Sequence, residues 1–243
     1  MTTPQPGIFA LGTRSHLHLE FDVTGDTEAL RAAIDSIQEA LSPIAGVNAV
    51  FGFDKDAWTA LSPGAVPDDL VAFEPVVGAD GFTHPAEQHD VWIWLHGGAP
   101  DALFDLGRTC QKDLSGIAEL AAEQLCFAYG ASKDLSGFED GTENPPVHEA
   151  AEVSSIPDGR CAGGSIVLLQ RWIHDLDAFD AKSLDDQEKV FGRTKAGSVE
   201  LDEAEADPGS HLQRVVIEDD EGEELEVWRR STPYGTLSEH GLM

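Results

Sequence analysis

Four short stretches of this sequence carry side chains whose type and spacing could do chemistry. The loop Gly137-Phe138-Glu139-Asp140-Gly141-Thr142-Glu143-Asn144-Pro145 sets a carboxylate beside glycine. Glycine has no Cβ, so its backbone can pass close to a flat ligand, and Asp140 can exchange a proton there. The same stretch also reads as a surface turn, because Asp-Gly is among the commonest turn dipeptides. His211, in Pro208-Gly209-Ser210-His211-Leu212, offers an imidazole at the start of a predicted strand, a rigid place for an iron ligand. A lone histidine is more often a hydrogen-bonding residue, and nine histidines make a chance placement easy. In Trp228-Arg229-Arg230-Ser231-Thr232-Pro233-Tyr234-Gly235 a predicted strand runs into a turn, and Arg229 and Arg230 point to opposite faces. One of them can enter a pocket, where it would demand an anionic partner; solubilising charges on an edge strand are the plainer account. The cluster Gly192-Arg193-Thr194-Lys195 could hold carboxylates or phosphates, or be a solvated helix end where the helix dipole favours cations.

These residues need elements to position them. His16 to Val23 alternates strictly, with Leu17, Leu19, Phe21 and Val23 on one face and His16, His18, Glu20 and Asp22 on the other, the period of a half-buried strand. Asp26 to Leu41 carries Leu30, Ile34, Ile37 and Leu41 at helical spacing behind the caps Asp26 and Thr27. Val47 to Phe53 is a second strand; after a Pro- and Gly-rich loop from Ser62 to Pro85, Asp90 to His96 is a third. Asp101 to Leu125 reads as one or two helices and Cys126 to Tyr129 as a short fourth strand. Strand, helix, two strands, helix, strand is the split βαβ, ferredoxin-like order, with helices on one face of an antiparallel sheet. The pattern then starts again: a continuous apolar strand over Ser165 to Ile173, partial helix over Leu176 to Val190, and strands over His211 to Glu218 and Leu225 to Arg230. The expected class is α+β, two ferredoxin-like units over residues 1–131 and 132–243 in a dimeric α/β-barrel-like arrangement, the second unit either abbreviated or cut short from a longer protein at Met243.

Composition narrows the function. With 45 acidic against 15 basic side chains the formal charge is -30, which repels polyanions and sets nucleic acid and anionic lipid aside. A heavily solvated surface, suited to high salt, explains that charge more simply than attraction of cationic substrates does. No stretch approaches the roughly 18 to 20 apolar residues of a membrane span, and Met1 to Phe9 lacks the order of a secretory signal, so the reading is cytoplasmic. Cys110, Cys126 and Cys161 are odd in number and widely spaced, which suggests buried thiols rather than disulfides or zinc. The acidic run Glu218 to Glu226 lacks the ligand alternation of a calcium loop and reads as a solvated hairpin.

Each motif is modest alone, but their order is not. The run Gly137 to Gly141, then Trp172-Ile173-His174-Asp175-Leu176-Asp177-Ala178-Phe179, Gly192-Arg193-Thr194-Lys195, Ser210-His211 and Arg229 to Gly235 resemble the dye-decolourising peroxidases, bacterial type B above all, from about Phe9 to the C-terminus. The resemblance implies haem b between the sheet and helices of the second unit. It makes His211 the proximal iron ligand, Asp140 and Arg229 the distal pair, and Arg193 a propionate partner, with Gly141 at the cofactor and His174 displaced as a ligand. It further implies hydrogen peroxide as oxidant, a small aromatic or dye-like electron donor, and a homo-oligomer. Ser231 stands where relatives often have Asn, and its hydroxyl can orient a water. The family continues for tens of residues past the Pro-Tyr-Gly turn, supplying a last strand, a helix and an acidic partner for the proximal imidazole. Trp92, Trp94, Trp172, Trp228, Tyr129 and Tyr234 are candidate electron relays, though packing explains most of them better. The residues by themselves leave two rivals open: a haem-binding or haem-delivery protein without turnover, and a non-haem ferredoxin-like binding module.

Overall fold

The computed structural model describes residues 3–41, 46–202 and 205–243. The chain divides into two compact units, Met1–Leu125 with Ser155–Val167, and Cys126–Ser154 with Leu168–Met243.

In the first unit the alternating segment forms β1 (Ser15–Val23), and the amphipathic stripe forms α1 (Thr27–Leu41), where Asp26 Oδ1 accepts the Ala29 N–H at 2.9 Å. Then come β2 (Val47–Phe53), α2 (Lys55–Leu61), a small hairpin of β3 (Val76–Val77) and β4 (Thr83–His84), β5 (Val91–Gly97), α3 (Pro100–Asp113) and β6 (Ala118–Phe127). The four long strands lie in the order β2-β5-β1-β6, the ferredoxin-like order, with β5 antiparallel to both β1 and β2. Leu17, Leu19 and Phe21 of β1 meet Leu30, Ile34, Ile37, Leu103 and Leu106 of the helices in one core. At Gly107 a Cβ would stand 2.7 Å from Leu17 Cδ2, so this glycine sets how closely α3 approaches the sheet.

The polar face of β1 departs from the expected half-buried strand. His16 and His18 are only 1% and 4% exposed. They lie in a layer with Trp92, Trp94 and His96 in which the Trp94 and His96 rings stack at 4.1 Å. The indoles donate to imidazole nitrogens, Trp94 Nε1 to His16 Nδ1 at 3.2 Å and Trp92 Nε1 to His18 Nδ1 at 3.3 Å. Burial, reinforced by His16 and His96, pushes the pKa of His18 down to about 3. The expected helix over Asp101 to Leu125 is also corrected: α3 ends at Asp113, Gly116 turns at φ +77°, and Ala118 onward is strand, absorbing the short strand expected at Cys126. Glu, Ala, Leu and Gln favour helix locally, but a place beside β1 in the sheet overrides that weak preference.

The second unit contains α4 (Ala150–Ser154), β7 (Trp172–Ile173), α5 (Leu176–Asp180), α6 (Leu184–Phe191), α7 (His211–Val215), β8 (Pro233–Gly235) and β9 (His240–Leu242). Strand β9 pairs antiparallel with β7 and β8, and Tyr234 pairs with Cys126. The partial helix expected over Leu176 to Val190 is α5 and α6, each opened by a side-chain cap, Asp175 and Ser183. Three strand expectations fail. Of Ser165 to Ile173 only Trp172–Ile173 is in a ladder. His211 begins a helix, not a strand, because Ser210 Oγ caps the Gln213 N–H at 3.4 Å. Leu225 to Arg230 joins no ladder. The acidic run is the solvated hairpin: Glu218 bridges Glu224, and Asp219 Oδ1 accepts the N–H groups of Glu221 and Glu223, both at 2.9 Å.

Candidate active site

All six sequence-predicted site residues lie in the second unit. The loop around Asp140 is fixed by its own backbone, Asp140 N–H donating to Ser132 O at 2.9 Å and Asp134 N–H to Phe138 O at 3.0 Å. Gly137 and Gly141 take φ of +86° and +76°, which an L side chain rarely adopts. Phe138 is 3% exposed and stacks on Phe191 with 4.0 Å between centroids, so the loop is pinned to α6 rather than free at the surface.

From this loop Asn144 reaches a segment 85 residues away. Its Oδ1 accepts the Arg229 N–H at 2.8 Å and its Nδ2 donates to the Arg229 carbonyl at 3.0 Å. Arg229 Nη1 lies 3.5 Å from the Glu143 carbonyl, and the Ser231 hydroxyl hydrogen-bonds Asp140. The Arg229 backbone and the Ser231 hydroxyl are therefore both tied to the loop of Asp140, the first by a side chain to which the sequence reading gave no role. Burial first, then the charge of Asp134, raises the Asp140 pKa, while the Gly141 N–H, the Ser231 hydroxyl and His211 draw it back.

His211 opens α7 with its ring 6.1 Å from that of Phe191. Burial, then the positive charge of Arg229, lowers its pKa, against Asp140 and Asp134. The balance favours the neutral imidazole, the form that ligates a metal. Among the described residues no cluster of three or more His, Cys, Asp or Glu could hold a bare ion. A single imidazole within the electrostatic reach of a carboxyl and a guanidinium suits instead an iron whose other ligands come from a macrocycle, and on that chemistry the residues fit haem.

Arg193 follows Gly192, the left-handed cap of α6, as a helix-end cation should. Its guanidinium is nonetheless turned inward, to Glu143, to Glu200 at 2.8 Å and to the Ser198 carbonyl at 2.7 Å. Carboxylate is thus the anion that it takes. Neither arginine of the 229–230 pair is left in open solvent, since Arg230 is buried enough to push its pKa down to about 10. His174 stands beside Asp134, Nδ1 to Oδ2 at 3.5 Å. Asn144, Phe191 and Asp134 are the residues that sequence reasoning missed; Asn144 and Phe138 lay inside the quoted motif, but nothing in their spacing announced a partner.

An α+β chain with ferredoxin-like strand order thus gathers in one unit an acid, an arginine and a histidine, groups that can move protons and face developing negative charge. Residues 5–128 match the family model for the N-terminal part of Dyp-type peroxidases and residues 131–243 that for the C-terminal part. The chain is 31% identical over 241 residues to a dye-decolorizing peroxidase of Rhodococcus erythropolis, covering 96% of this chain and 70% of that protein. It is 31% identical over 250 residues to one from Mycobacterium tuberculosis, covering 97% and 72%. A crystal structure of a putative Dyp-type peroxidase from Shewanella oneidensis is similar over 100% of this chain and 82% of its own, with TM-score 0.91 and 30% identity. A Rhodococcus jostii DypB variant in complex with heme is similar over 99% and 81%, with TM-score 0.88 and 29% identity. The chain belongs to the Dyp-type peroxidase family and is a haem peroxidase. No helix among the described residues is long and apolar enough to cross a membrane.

Proposed function

We propose that this protein reduces hydrogen peroxide and oxidises small aromatic or dye-like electron donors, with His211 holding the iron of haem b and Asp140 and Arg229 on the peroxide side. The observation that carries the reading is the Asn144 clamp, which ties the backbone of Arg229 to the loop of Asp140. When bound, haem supplies the redox equivalents that cleave peroxide and draw electrons from the donor. The Asp140 carboxylate takes a proton from one peroxide oxygen and delivers it to the other, and its raised pKa brings it nearer to working pH. The Arg229 guanidinium faces the negative charge that develops on the departing oxygen. Arg193, which here holds carboxylates, would hold a propionate of the bound cofactor, Gly141 would let the backbone approach it, and Ser231 orients Asp140 or a water.

On the same reading the working division falls between residues 131 and 132, the protein is a homo-oligomer, and its compartment is the cytoplasm. Buried Cys110 and Cys126, with thiol pKa values pushed up to about 12, are inert enough to stay reduced there. The test is the absorption spectrum of the haem-loaded chain, before and after one equivalent of peroxide, in wild type and His211→Ala. A Soret band that depends on His211 and responds to peroxide supports the reading; a band indifferent to His211 refutes the ligand assignment. Tight, exchangeable haem without a peroxide response would favour haem delivery instead.

A further inference from the structure

The loop that carries Asp140 is gripped by one segment of chain at two points, Gly137 ahead of the acid and Glu143 behind it. Glu143 pairs with Arg193. The side chain of Lys195 lies across Gly137: a Cβ on that glycine would stand 2.9 Å from Lys195 Cε, so the bare Cα makes room for the stem. The Lys195 ammonium sits 5.3 Å from the ring centre of Phe138 and 5.8 Å from that of Phe179, and it donates to Gln187 Oε1 at 2.8 Å. Gln187 is buried, and its Nε2 donates to the carbonyls of Phe179 and Lys182 at 3.4 and 3.2 Å, so the contact ties the loop to α5 and α6 together. The Lys195 N–H is itself fixed on Glu188 Oε1 at 2.8 Å. Among the described residues no carboxylate pairs with this ammonium, in a chain with 45 acidic side chains. A half-buried lysine with an amide oxygen and two ring faces as its partners is placed by shape rather than by ion pairing.

We propose that Lys195 is the positioning residue of the Asp140 loop: its stem packs on Gly137, and its amine, tethered to Gln187, holds the turn against α5 and α6. Arg193 does not secure the loop by itself. On the proposed function it would hold a propionate of the bound cofactor, and Glu143 would then lose its grip. Lys195, whose partners are all protein groups, keeps its hold and so sets where the Asp140 carboxyl stands. The catalytic consequence rests on the reading of Asp140 as the acid on the peroxide side; the grip on the loop does not.

Two readouts separate the grip from the chemistry. In the full chain without haem, amide hydrogen exchange follows the loop bonds from Gly137 N–H to Asp134 O and from Asp140 N–H to Ser132 O, both at 2.9 Å. Lys195→Ala should speed exchange at both by about tenfold or more and leave the amides of β1 and β5 at wild-type rates. Lys189→Ala, which removes an equal charge from α6 where it pairs with Asp185, should change neither. In the haem-loaded chain Lys195→Ala should slow the reaction with peroxide by about tenfold or more under an unchanged Soret band, because displacing a reacting group by about 1 Å can cost about a hundredfold. Lys195→Arg, which can still reach Gln187 and cover the rings, should restore most of that rate. Lys195→Met keeps a stem over Gly137 and lacks the amine, so it decides the matter if the Ala variant loosens the whole unit. Loop exchange that stays at the wild-type rate in the Ala and Met variants overturns the proposal, as does faster exchange that Lys189→Ala reproduces. A peroxide rate within about twofold of wild type, or a loss as large in Lys195→Arg as in Lys195→Ala, overturns it too. A wild-type chain that binds haem and ignores peroxide would instead refute the peroxidase reading, and the exchange rates would still decide the grip.

Discussion

Replacing Asn144 by Ala removes both hydrogen bonds that hold the backbone of Arg229, at 2.8 and 3.0 Å, and leaves an N–H and a C=O to find water. A net hydrogen bond contributes about 1 kcal/mol, and a stranded buried group costs about 1–3 kcal/mol. Asn144 and Arg229 are half-buried, so water reaches part of the gap and the lower end applies, about 2 kcal/mol in all. The kinetic consequence should be larger, because a displacement of about 1 Å at a reacting group can cost about a hundredfold in rate. Urea denaturation reads the first effect and stopped-flow mixing of the haem-loaded protein with peroxide reads the second. The Soret band should survive, since neither His211 nor Arg193 is held by Asn144. If stability falls by the expected amount while the peroxide rate stays within about twofold of wild type, Asn144 does not set the position of Arg229 and the reasoning fails.

Arg229→Leu should abolish fast peroxide cleavage while leaving haem bound; unchanged stopped-flow rates would sink that assignment. Ser231→Ala removes a hydrogen bond that holds the Asp140 pKa down, so the acid limb of the rate–pH profile should move to higher pH; a limb that stays or moves lower contradicts the role of Ser231. His18 is depressed from 6.5 to about 3, so the unfolded chain takes up its proton first. Stability from that site is unaffected above pH 6.5 and falls by up to roughly tenfold in the folding constant per pH unit below it. Urea midpoints at about pH 7 and pH 5 should therefore diverge less in His18→Leu than in wild type, and equal divergence would mean that His18 titrates normally. Leu103, 0% exposed under the sheet, should cost about 2–5 kcal/mol as Ala, read by urea denaturation.

Much of the first unit was legible because its information is local. The Leu17, Leu19, Phe21 alternation and the Leu30, Ile34, Ile37, Leu41 stripe each record one face turned to one core, and the structure places them there. The strand Ala118–Phe127 was not legible: its residues prefer helix, and only the neighbouring strand settles the matter. His16 and His18 looked like solvent-facing polar positions because alternation reports polarity, whereas their burial depends on indole donors from β5. In the second unit, the apolar residues that follow His211 suggest a strand, but the Ser210 cap opens a helix there.

What the sequence determined by itself was the inventory of the site: a glycine-flanked acid, a histidine and an arginine in a fixed order, together with the charge that sets polyanionic partners aside. Residue type and order are properties of the chain, and chemistry is read from them directly. Tertiary structure alone decided that Asn144 grips Arg229, that Arg193 turns inward to Glu143, and that Phe191 links Phe138 to His211. Those contacts join residues far apart in the chain, and their energies depend on burial and on distances of a few ångströms, which no local pattern of side chains encodes.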